Sequence, residues 1–135
     1  MRPLILSTCL AACIALPLSA QDRPGLEFEA EIDNSLLIVM TADLIRKNCE
    51  AIDARKIKAV LYIKGIERRA RALGYSKKEI EHHVEDEDQK ARLKTIALGY
   101  LGSKGLVADD PASYCAVGRS EISAKSTVGS LLKGG

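Results

Sequence analysis

The chain has 135 residues, of which 47% are apolar and 28% charged. That balance excludes a disordered polymer and suits one domain with one core. Aromatic residues make up 4%, with no tryptophan, and the formal net charge is +2. The core must therefore be aliphatic, an aromatic platform for sugars or bases is not expected, and no global field selects nucleic acid.

The first twenty residues read as a removable export signal. Met1 and Arg2 give a small positive start, Leu4 to Leu16 is an apolar run interrupted by Ser7 and Thr8, and Pro17 breaks it. Leu18-Ser19-Ala20 then places a small residue before Gln21, the expected cleavage pattern. The run is too short to span a bilayer, and no later segment approaches the length of about twenty apolar residues that a span needs. A competing reading takes Leu10-Ala11-Ala12-Cys13 as a lipoprotein processing site, with the chain anchored through Cys13. Cleavage after Ala20 is favoured, because processing at Cys13 would leave the apolar Ile14–Leu18 stretch on the mature chain. Removal of twenty residues leaves 115 of the 135, and losing Arg2 takes the charge from +2 to +1.

Residues 21–31 are polar, acidic and contain Pro24 and Gly25, so they are expected to be a flexible leader to a helical domain over 32–133. Ile32, Leu36, Val39, Met40 and Leu44 mark a first helix over about 31–48. Within it Asp43 precedes Arg46 and Lys47 by three and four residues, the spacing of local ion pairs. Ile52, Ala59, Ile63, Ile66, Ala70 and Leu73 fall on one face of a second helix over six turns, with Gly74 as its left-handed cap.

Ser76 with Glu79 forms a capping box, and Tyr75 with Ile80 a hydrophobic staple, opening a third helix from about Lys77 to Glu85. Leu93, Ile96, Ala97, Tyr100 and Leu101 define a fourth, ending near Gly102 and Gly105. Asp110-Pro111 opens a fifth, with aspartate as N-cap and proline where its missing N–H costs nothing. Val128, Leu131 and Leu132 suggest a last short turn. Period-two alternation is nowhere sustained. The expected fold is all-α, a single small bundle of about five helices.

Cys9 and Cys13 leave with the signal, so Cys49 and Cys115 most simply form one disulfide in an exported chain. The bridge would span 66 residues, worth about 4 kcal/mol in the chain-entropy model. A redox pair lacks the C-x-x-C spacing.

Several stretches also carry a resemblance. Asn34–Leu37, Ala42–Cys49, Leu73–Ser76 and Asp110–Ile122 are similar to a family of small exported alphaproteobacterial proteins classed as a domain of unknown function. The similarity covers about 32–132 and is most specific in the two cysteine-bearing segments. It implies a Gram-negative envelope location and supports the Cys49–Cys115 pairing. It implies no activity, ligand or active-site residue.

Charge is segregated along the chain. Residues 46–78 hold eleven Lys and Arg against three acids, whereas residues 79–88 hold six acids and no Lys or Arg. Arg55, Lys58, Lys64, Arg68, Arg69 and Arg71 therefore form a candidate binding face for an anionic surface or an acidic protein. The plain alternative is a solvated helix face beside an acidic neighbour. His82 and His83, within the acid run, are candidate pH sensors. A metal site is not expected, since adjacent histidines diverge by about 100° on a helix and no H-E-x-x-H occurs.

No nucleophile motif or glycine-rich phosphate loop is present, and no histidine outside the 82–83 pair, read as exposed, offers a base. An enzyme using Asp43 or Asp110 as an acid has no supporting spacing, and no cofactor is expected. The expectation is a periplasmic or secreted, non-enzymatic protein-binding or inhibitor module. Its partner would be another envelope protein or an anionic surface, not nucleic acid. The alternative class is an acid-activated periplasmic stress chaperone.

Overall fold

A computed structural model describes residues 23–134. The export signal, the cleavage point after Ala20 and Cys13 lie outside the described residues. One 3-10 turn (Leu26–Phe28) leads into α1 (Ala30–Asn48), followed by β1 (Ile52–Ala54), α2 (Lys56–Ala72) and α3 (Lys77–Glu85). Then come α4 (Glu87–Ser103), α5 (Pro111–Ser123), the short α6 (Thr127–Ser130) and β2 (Leu132–Gly134). The fold is a small all-α bundle with one disulfide. The four-residue α6 is the expected last turn, a sixth helix among the described residues.

α1 is the central helix, with α2, α4, α5 and α6 packed around it. Ala42, Leu44 and Ile45 of α1 meet Ala97 and Leu101 of α4, Val117 of α5, and Val128, Leu131 and Leu132 near the C-terminus. A second cluster forms at the other end of α1, where Ile32 meets Leu26, Ile66, Ala70 and Tyr75. Both clusters are mainly aliphatic, and Tyr75 is buried in the second.

The local signals at the helix ends are realised. Ser76 Oγ accepts from Glu79 N at 3.2 Å, and Glu79 Oε2 accepts from Ser76 N at 2.6 Å. Asp110 Oδ1 accepts from Ala112 N at 3.0 Å, with Pro111 at the first helical position. Gly74 has φ +95°, a conformation that side chains strain.

The second helix starts later than its apolar spacing suggests. Ile52 belongs to β1, which pairs antiparallel with β2 in the register Ile52↔Gly134, Asp53↔Lys133 and Ala54↔Leu132. This ribbon ties the chain's end beside the bridge, where Cys49 and Cys115 lie 5.1 Å apart at Cα. Opposite them α5 approaches closely at Gly118. A Cβ there would stand 2.5 Å from Ile52 Cδ1 and 2.6 Å from Ile45 Cγ2.

The leader is also not free from Arg23 onward. Leu26 is buried, and the Tyr75 hydroxyl donates to the Pro24 carbonyl at 2.6 Å and lies 2.9 Å from Glu29 Oε1. Arg23 binds the Gly74 carbonyl and stacks over the Tyr75 ring at 5.1 Å. A polar sequence with one apolar anchor thus becomes part of the core.

Candidate binding surfaces

The six basic residues singled out on and beside α2 do not form one face. Arg55 is structural: its Nε donates to Leu132 O at 2.9 Å, and its backbone N donates to Leu131 O at 2.8 Å. Arg69 turns inward to α1, donating from Nη2 to Ser35 Oγ at 3.1 Å and approaching Glu31 Oε1 to 3.0 Å. Lys64, Arg68 and Arg71 are exposed and form no ion pair with any described residue. Lys58 is exposed on the flank of this set.

The apolar residues beside these cations are a feature that sequence reading missed. Ile57, Val60 and Leu61 are 80%, 49% and 62% exposed. With Lys64, Arg68 and Arg71 they follow steps of three, one, three, four and three, which put all six on one side of α2. The opposite side carries the buried Ile66 and Ala70. α2 therefore has an inward apolar stripe and an outward face that is apolar in its first turns and cationic beyond. The signal was in the sequence as an apolar triplet at i, i+3 and i+4, out of phase with the core stripe.

The two histidines diverge, as adjacent helical positions must. His82 is exposed, but His83 is buried, which corrects the reading of both as a surface pair. His83 Nδ1 lies 3.6 Å from Glu27 Oε2 in the leader turn, and its Nε2 is buried without a hydrogen-bond partner. Burial holds the His83 imidazole below its ordinary pKa, against the opposing charges of Glu27, Asp33 and Asp86; Arg92 adds to the lowering. Both histidines line a cleft of about 550 Å³ between the leader and α3, together with Arg23, Tyr75, Glu79 and Asp86.

The acid run around them is largely committed to helix ends. Glu79 closes the capping box, Asp86 Oδ1 accepts from Gln89 N at 2.9 Å, and Glu87 and Asp88 occupy the first turn of α4. Carboxylates there complement the helix dipole.

The carboxylates considered as acids have structural partners as well. Asp43 lies 2.6 Å from both Arg46 Nη2 and Lys47 Nζ. Burial alone would raise its pKa, but hydrogen bonds and charge from Lys47 and Arg46 hold it below the usual carboxylate range. Asp110 caps α5. Glu121, buried, accepts from the Tyr100 hydroxyl at 2.8 Å and from Ser126 Oγ, whose oxygen in turn caps α6. Burial and the Glu121 hydrogen bond push the Tyr100 phenol up to about 12. Among the described residues, no group of three or more His, Cys, Asp or Glu is placed to hold a metal ion. No helix among them is long and apolar enough to cross a membrane.

The model of a family of unknown function, DUF5333, matches residues 24–133. The chain belongs to DUF5333. No curated protein and no solved structure matches it. The DUF5333 match begins at Pro24, eight residues before the domain boundary expected from periodicity, and so takes in the leader turn that packs on Tyr75. It also covers both bridged cysteines and the whole of α2.

Proposed function

We propose that this DUF5333 protein is an exported, non-enzymatic binding module of the cell envelope that docks an acidic amphipathic segment of another protein on the outer face of α2. The observation that carries the reading is the alignment of exposed Ile57, Val60 and Leu61 with unpaired Lys64, Arg68 and Arg71. Large apolar side chains in water are a standing cost, and covering each contributes up to about 1.5–3 kcal/mol. The adjoining cations select a partner of opposite charge and favour its encounter. The apolar run at Leu4–Leu16 and the disulfide support the exported location.

The test is a titration of the protein, bridge intact, with a labelled helical peptide bearing a leucine stripe flanked by glutamates. Saturable, salt-sensitive binding is expected, lost in Lys64→Glu/Arg68→Glu/Arg71→Glu and in Ile57→Asp/Leu61→Asp. Equal binding by these variants removes the α2 face from consideration. Binding to anionic vesicles with none to the peptide assigns the face to a membrane surface instead.

One observation favours the second reading, an acid-activated chaperone: His83 is buried with an unpartnered nitrogen beneath the leader. Acidification toward pH 4 should then loosen tertiary packing and expose dye-binding apolar surface. Unchanged near-ultraviolet circular dichroism over that range rejects it.

A further inference from the structure

A second surface lies on the side of α1 between α2 and α3, away from the outer face of α2. Leu36, Val39, Met40 and Asp43 recur along α1 at i, i+3, i+4 and i+7, all partly exposed. Three adjoining cavities of about 260, 200 and 140 Å³ run along this stripe, and Val39 lines all three. Ile63 of α2 and Val84 of α3 form opposite walls and are 49% and 48% exposed. The result is an open apolar groove about 10 Å long, the length of two helical turns.

Its charged rim is uneven. At the α2–α3 end the cavity is bordered by Glu67, Glu81, Glu85 and Lys77, and Lys77 Nζ is already paired with Glu81 at 3.4 Å. Glu67 and Glu85 form no ion pair with any described residue. At the far end Asp43 is neutralised by Arg46 and Lys47. On the α4 side Lys90 is held by Glu87 at 2.8 Å. Arg46 and Lys47 share the one carboxylate of Asp43 and leave a positive charge at the far end. At the α2–α3 end, however, an anionic headgroup would find no unpaired cation, whereas a cationic side chain would find two carboxylates.

We infer that this groove receives a short amphipathic helix of a partner protein, about two turns long, with apolar anchors over Val39 and a Lys or Arg against Glu67 and Glu85. Helix-in-groove recognition lays the apolar face of an amphipathic helix into an apolar groove, and Leu36, Val39 and Met40, walled by Ile63 and Val84, supply that groove here. The selection is opposite in sign to that of the outer α2 face. The two surfaces are therefore separable, and this inference does not rest on the first.

The experiment maps backbone amide shifts of the disulfide-intact protein during titration with a 14-residue helical peptide carrying a leucine stripe flanked by lysines. Saturable shifts are expected at Leu36, Val39, Ile63 and Val84. Affinity should fall about tenfold or more in Val84→Asp, at a half-exposed site and with folding checked by circular dichroism, and should be unchanged in Lys64→Glu/Arg68→Glu/Arg71→Glu. Glu67→Lys/Glu85→Lys should shift the preference toward a glutamate-flanked peptide. Shifts confined to Ile57 and Leu61, indifference to flanking charge, or binding of dodecylamine with none of the peptide would overturn it.

Discussion

At the scale of single residues, His83 shows how burial changes what a side chain means. Read along the chain, it is one of two histidines in an acidic run; folded, it sits under the leader turn with its Nδ1 toward Glu27 and Nε2 unpartnered. Its folded pKa lies below the ordinary value of 6.5. The unfolded chain therefore binds its proton first as pH falls. The stability contributed by neutral His83 is complete above about pH 6.5 and is lost as pH falls through the folded pKa. Urea unfolding at stepped pH should show this loss in the native protein and a flatter profile in His83→Gln, because carboxylate contributions such as that of Asp43 are lost only at lower pH. Identical profiles would contradict it. Gly118 is as specific: Gly118→Ala pushes a Cβ into Ile45 and Ile52. It should cost about 1–3 kcal/mol by overpacking, measurable as a lower denaturation midpoint.

At the scale of elements, legibility follows range. The Ser76–Glu79 box, the Asp110-Pro111 start and the Gly74 cap were readable because each is satisfied within four residues. Ser76→Ala should lower stability by about 1 kcal/mol, seen as a fall in Tm with the fold unchanged. The start of α2 was not readable in the same way. Ile52 fits the helical spacing but is claimed by β2, some 80 residues away, and a three-residue strand is too short to display alternation. The packing of the leader turn was not readable for a similar reason, since only Leu26 is an apolar anchor and its partners, Ile66, Ala70 and Tyr75, are distant in sequence. On α2, periodicity located the inward stripe at Ile66 and Ala70; the out-of-phase triplet Ile57, Val60 and Leu61 was visible too, but its spacing alone does not tell a second core contact from an outward face. Of the six candidate cations, Lys64, Arg68 and Arg71 remain on that face, while Arg55 and Arg69 serve the fold. Nothing local distinguishes those roles.

At the scale of the whole molecule, the bridge closes a 66-residue span and joins the end of α1 to α5 beside the two-stranded ribbon. Cys49→Ala/Cys115→Ala should lower the unfolding free energy by up to about 4 kcal/mol in urea titration. Around this braced core the domain presents two surfaces of opposite charge preference, the outer face of α2 and the groove over Val39. The claim that the first is a docking face is tested most directly in cells. A photo-crosslinking residue at Leu61 should yield a discrete adduct with an acidic envelope protein, absent when the same residue replaces the exposed Thr95 on α4. The Leu61 adduct should disappear in Lys64→Glu/Arg68→Glu/Arg71→Glu while the disulfide and helical content are retained. An adduct of equal yield in that charge-reversed protein, or no adduct from Leu61, would contradict the account.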